Sequence, residues 1–84
     1  MTGYSNEIVA RALRQVRNGK LPCSTPRKEY GGPGENTPCD ICGEPIQRRE
    51  TEIEAIYPEF GTLHLHAMCM NALREACAEL HEHR

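Results

Sequence analysis

Two short pairs of soft donors constrain this chain more than any other feature: Cys39-Asp40-Ile41-Cys42 and His66-Ala67-Met68-Cys69. Thiolates and imidazoles in a set of four are the ligands that a structural zinc ion takes in a tetrahedron. A Cys-x2-Cys turn delivers two of them, and Gly43 can adopt the left-handed conformation that closes such a turn. Residues three apart in a first helical turn share a face. His66 and Cys69 can therefore reach one ion if a helix begins between them. The 23 residues separating Cys42 from His66 leave room for a hairpin that carries the helix back over the turn. His64 competes with His66 from the same strand face, but its spacing to Cys69 is less favourable.

The residue pattern supplies those elements. Glu52–Ile56 alternates polar and apolar, as a half-buried strand does. Pro58-Glu59-Phe60-Gly61 reads as a turn, and Thr62–His66 alternates again as the returning strand. From Ala67 the period becomes helical: Cys69, Ala72, Leu73, Ala76 and Leu80 share one face, and Asn71, Glu75 and Glu79 another. Residues 38–81 thus read as a knuckle, a β-hairpin and a C-terminal helix around one structural Zn2+. The expected fold class is a small metal-stabilised α+β domain.

Two further segments precede this module. Residues 5–18 form an amphipathic helix, capped by Ser5 or Asn6 and stopped by Gly19. Ile8, Val9, Ala12, Leu13 and Val16 fall on one side, and Arg11, Arg14 and Arg17 on the other. This helix is expected to stand apart from the module in sequence, its stripe docking on the module or on another protein. Residues 19–37 carry Pro22, Pro26, Pro33 and Gly31-Gly32-Pro33-Gly34, which predict an extended linker without regular helix or strand over most of its length. Leu21 and Tyr30 are its candidates for packing on the module. Cys23, alone in this stretch, reads as an incidental thiol, and Cys77 as a packed thiol on the terminal helix.

A chain of 84 residues with 38% hydrophobic side chains and no Trp has a thin apolar core, which a metal can reinforce. Nothing approaches a membrane span. The first residues show no basic region followed by an apolar run, which predicts a cytoplasmic, reducing location. There, five cysteines read as metal ligands plus spare thiols rather than as a disulfide framework. The net charge of −2 hides an asymmetry. Residues 1–49 carry eight basic side chains against five acidic, and residues 50–84 carry two against seven.

The ligand pattern resembles the first finger of LIM domains, with Cys39, Cys42, His66 and Cys69 at its four positions. No second finger follows, so a complete LIM domain is excluded. The order of elements is similar to a treble clef, which implies that the last two ligands come from the start of the terminal helix. Leu21-Pro22, Gly31-Gly32-Pro33-Gly34 and the ligand set also resemble a group of short bacterial zinc-finger proteins without an established activity. Treble clefs carry several functions, so this likeness leaves function to the residues.

Those residues argue against an enzyme. Pro38-Cys39-x2-Cys42 resembles half of a zinc-deaminase signature, but no His-x-Glu precedes it to complete the site. Four protein ligands leave no position for a metal-bound water, and no nucleophile grouping stands out. The expected function is a zinc-binding module that mediates protein–protein interaction. The alternative is a nucleic-acid-binding finger using Arg11, Arg14, Arg17, Lys20, Arg27, Lys28, Arg48 and Arg49. Acidic residues in the C-terminal half and the scarcity of aromatic side chains weigh against it.

Overall fold

The computed structural model describes residues 3–82. They form helix α1 (Gly3–Arg17), strands β1 (Lys28–Pro33), β2 (Thr51–Tyr57) and β3 (Gly61–His66), and helix α2 (Ala67–Glu82). The result is a small α+β arrangement: one antiparallel sheet in the order β1-β2-β3, with two helices.

Helix α1 starts before the expected cap, so Ser5 and Asn6 fall inside it. Its end follows the glycine signal closely. Gly19 adopts φ 77°, its N–H donates to the Val16 carbonyl at 3.0 Å, and the Lys20 N–H donates to the Gln15 carbonyl at 2.8 Å. These paired bonds make a Schellman cap, which satisfies carbonyls that the last helical turn leaves open. Leu21, just beyond, is buried.

The apolar stripe of α1 packs on α2. Ile8 and the fully buried Ala12 enter the core, with Val9, Leu13 and Val16 at its margin. Alanine at that contact lets the two helix backbones approach closely. The helix is therefore not separate from the rest of the fold: it shares one core with the sheet and α2. Its arginines Arg11, Arg14 and Arg17 are exposed.

The segment expected to be a linker holds the first strand. Lys28 pairs with Ile56 and Pro33 with Thr51 in an antiparallel ladder. Proline lacks a ladder donor but is tolerated on an edge strand, and here it stands last in that strand. Hydrogen bonds from the Arg27 N–H to the Ile56 carbonyl and from the Gly34 N–H to the Glu50 carbonyl extend the pairing at both ends. Leu21 packs as anticipated, whereas Tyr30 is half exposed and does not. Gly34 is needed for close approach: an added Cβ would lie 2.2 Å from the Gln47 carbonyl oxygen and 2.3 Å from that of Ile46.

The hairpin matches its alternation. Glu54 faces His64 and Ala55 faces Leu63 across β2 and β3, and Gly61 closes the turn at φ 77°. Ala55, Tyr57, Leu63 and Leu65 point into a core shared with Met70, Leu73 and Ala76 of α2. The opposite face carries Glu52, Glu54, Ile56, His64 and His66. Among the described residues no helix is long and apolar enough to cross a membrane.

Five cysteines do not divide into ligands and spare thiols. Cys23 and Cys77 form a disulfide across 54 positions, with their Cα atoms 5.5 Å apart, inside the range such a bond requires. Cys23 is thus neither incidental nor free, and Cys77 is buried on α2 as one half of a cross-link.

Candidate metal centre

The knuckle is built by backbone hydrogen bonds. Pro38 and Pro45 form an isolated antiparallel bridge. Inside it, the Cys39 N–H donates to the Glu44 carbonyl at 2.9 Å and the Gly43 N–H to the Cys39 carbonyl at 3.0 Å. Gly43 sits at φ 82°, the left-handed region that a side chain disfavours. Ile41 and Ile46 are almost fully buried and anchor the turn to the core.

Asp40 then ties the knuckle to the hairpin. Its N–H donates to the His64 carbonyl at 2.8 Å, and its carboxylate accepts the His64 N–H at 2.7 Å. Gln15 of α1 adds a longer contact, its side-chain amide donating to the Ile41 carbonyl at 3.4 Å. The knuckle, which carries Cys39 and Cys42, is thereby held against α1 and against β3, which carries His66.

This frame brings Cys39, Cys42, His66 and Cys69 together, with one ligand atom from each lying within 4.8 Å of all the others. His66 is the last residue of β3 and Cys69 lies in the first turn of α2, so the strand–helix junction supplies two donors. His66 Nδ1 stands 3.4 Å from Cys42 Sγ and 3.8 Å from Cys69 Sγ. For zinc–sulfur and zinc–nitrogen bonds of ordinary length, a tetrahedron has a sulfur–nitrogen edge of about 3.6 Å. Donor type, number and spacing therefore fit a tetrahedral divalent ion.

The electrostatics distinguish the three thiols. A hydrogen bond from Cys69 holds the Cys39 thiol down at about 4. The same contact, with burial, pushes Cys69 far above the usual thiol range, and burial raises Cys42. Three negative sulfurs cannot share one buried space without a compensating cation. A divalent ion supplies that charge and would draw the protons from Cys42 and Cys69. Cys39 and Cys69 are buried and Cys42 and His66 partly so, which limits water at the centre.

His64, the competing imidazole, belongs to a different contact. Its Nδ1 meets the Glu52 carboxylate at 2.6 Å and Glu54 at 3.7 Å. Glu52 is buried, and the imidazole offers that carboxylate a polar partner. The three side chains lie within 4.8 Å of one another as a mixed carboxylate–imidazole group beside the metal centre.

Sequence reasoning missed one residue that touches the centre. Glu50 Oε1 lies 3.4 Å from His66 Nε2 and accepts the Gln47 N–H at 2.8 Å. With a metal bound through Nδ1, Nε2 would carry the proton, and the neighbouring carboxylate would favour that tautomer. No spacing rule singles out Glu50, because the contact comes from the bend that precedes β2. Glu50→Gln is expected to weaken affinity for a metal at this centre about tenfold while the fold persists. Competition against a chromophoric chelator measures this, and unchanged affinity would deny Glu50 that role.

Comparison with known protein families, curated proteins and solved structures finds no match, so the centre is interpreted from its own geometry.

Proposed function

We propose that this chain is a zinc-stabilised, treble-clef-like module that binds an acidic segment of another protein. One structural zinc would be held by Cys39, Cys42, His66 and Cys69. The observation that carries this reading is the convergence of four protein donors on one centre. Such a set completes a tetrahedron and leaves no open position for a reacting water. A structural role follows, with stability as the ion's contribution. The module would act by presenting a surface rather than by catalysis.

The helices do not supply that surface through their apolar stripes, since α1 and α2 cover each other. A cleft of about 650 Å³ between the end of α1 and the knuckle is a better candidate. Arg11, Arg14 and Lys20 line it, with Asp40 as the single acid. Its cationic lining complements carboxylates on a partner.

The same cleft favours a second reading, in which phosphates of a nucleic acid occupy it. The acidic C-terminal half opposes a long polyanion more strongly than a short acidic peptide. Fluorescence anisotropy with an acidic peptide and with generic duplex or single-stranded DNA, across a salt series, tests the two. The expected result is no measurable DNA binding near physiological salt, and peptide binding that an Arg11/Arg14/Lys20 alanine triple variant loses. Tight DNA binding that falls by about one logarithmic unit per phosphate contact with each tenfold rise in salt, and is lost in that variant, would reverse the order.

A further inference from the structure

The Cys23–Cys77 disulfide shares no residue with the metal centre, and its two cysteines stand in different surroundings. Cys23 is exposed on the segment that leads into β1. Cys77 is buried on α2, its Sγ 3.8 Å from the Pro22 carbonyl. Beside the bond lies a cavity of about 480 Å³, lined by both cysteines and by Arg27, Lys28, Arg74 and Tyr57 among others. Glu29, also in the lining, pairs with Arg74 at 2.6 Å, so Arg27 and Lys28 leave the wall net positive.

We propose that this cavity is a thiol-exchange site that takes a low-molecular-weight thiol bearing carboxylates. Reactive cysteines sit in partly exposed, electropositive surroundings, and here such surroundings adjoin a space large enough for a small peptide. Attack is directed by access. The incoming thiolate bonds to Cys23 Sγ, the Cys23–Cys77 bond breaks, and Cys77 leaves as a thiolate that takes up a proton. A second thiolate then attacks the small molecule's own sulfur in the mixed disulfide. Cys23 is released and protonated, and the two small thiols depart joined as a disulfide. Two electrons and two protons pass to the protein for each pair of thiols oxidised, and the reverse sequence re-forms the cross-link.

The site would connect the surrounding thiol pool to the anchoring of residues 21–27. Closed, the disulfide fastens this segment to α2. Open, it leaves the segment held by the buried Leu21 and by the backbone bond from Arg27 to Ile56. This inference goes beyond the proposed function and does not depend on it.

The test uses the oxidised, zinc-loaded full chain with two probes, reduced glutathione (net negative) and cysteamine (positive). Each rate of opening is normalised to the same thiol's rate on an unstructured disulfide. Alkylation then traps the products for tryptic mapping, in which Cys23 falls in peptide 21–27 and Cys77 in peptide 75–84. The expected results are a glutathione adduct on Cys23 and a normalised preference for glutathione over cysteamine. An Arg27→Glu/Lys28→Glu variant should shift that preference about tenfold towards cysteamine, an effect that added salt reduces. A Cys77→Ser variant incubated with oxidised glutathione should become modified at Cys23. An adduct on Cys77, failure of Cys23 to react in the Cys77→Ser variant, or a probe preference unmoved by charge reversal would overturn the proposal.

Discussion

Cys42→Ser is expected to abolish the folded state of the whole described chain, not only of the knuckle. A structural zinc in a small finger contributes about 10–16 kcal/mol at neutral pH, comparable to or larger than the roughly 5–15 kcal/mol that stabilises a typical domain. Losing one ligand of four would remove most of that contribution. The effect spreads because Cys42 lies beside Ile41, while Cys69 and Met70 belong to the same core as Ile8 and Ala12 of α1. The amide spectrum of the variant should collapse to a narrow, unfolded range, in α1 as well as in the hairpin. A dispersed spectrum with zinc still bound would mean that Cys42 is not a required ligand.

Cys23→Ser carries the second large effect. Its disulfide closes a loop of 54 positions, and cross-linking a loop of that length restricts the unfolded chain by up to about 4 kcal/mol, with about 2–4 kcal/mol usually realised. Under zinc-saturated, non-reducing conditions the variant should unfold at clearly lower denaturant concentration than the parent chain. In a reducing buffer the two should converge, because the parent then loses the same cross-link. Identical curves without reductant would show that the bond adds nothing to stability. Viewed as a lone thiol in a Pro-rich stretch, Cys23 is expected to be silent on substitution; its place in the fold makes it one of the most sensitive positions.

The contrast between these two cysteines shows where sequence reasoning succeeds and fails. Cys42 is legible because its partners stand in short, fixed spacings that belong to one turn and one helix start. Strand alternation in Glu52–Ile56 and Thr62–His66, and the period change at Ala67, place those spacings on the right elements. Gly19 is legible for a similar reason: a helix stop is a local matter of one residue's allowed backbone. The pairing of Cys23 with Cys77 is not local, and no rule of spacing connects positions so far apart. Strand β1 escapes notice on the same grounds. Gly31, Gly32 and Pro33 suppress any local strand signal, and the ladder forms because β2 offers a partner edge. Glu50 and Glu52 are unremarkable acids in sequence, and only the fold sets one beside His66 and the other beneath His64.

The two kinds of sulfur also divide the labour of stabilisation. Helix α2 is cross-linked through Cys77, and a metal on Cys69 would fasten it at its start as well. Between these points it buries Met70, Leu73 and Ala76 against the sheet and α1. A core this thin would gain from both, and each would respond to a different chemical change: chelation of the metal at one end, reduction at the other.

If one ion on Cys39, Cys42, His66 and Cys69 holds this fold together, native mass spectrometry combined with chelation should reveal it. The folded chain should carry a single zinc, and a strong chelator should remove the ion and the cooperative melt together. Apparent affinity should fall as pH is lowered, since protons that zinc displaces from Cys42 and Cys69 compete for the same sulfurs. A chain that carries no zinc, or whose cooperative melt is unchanged after chelation, would rule out a metal-dependent fold.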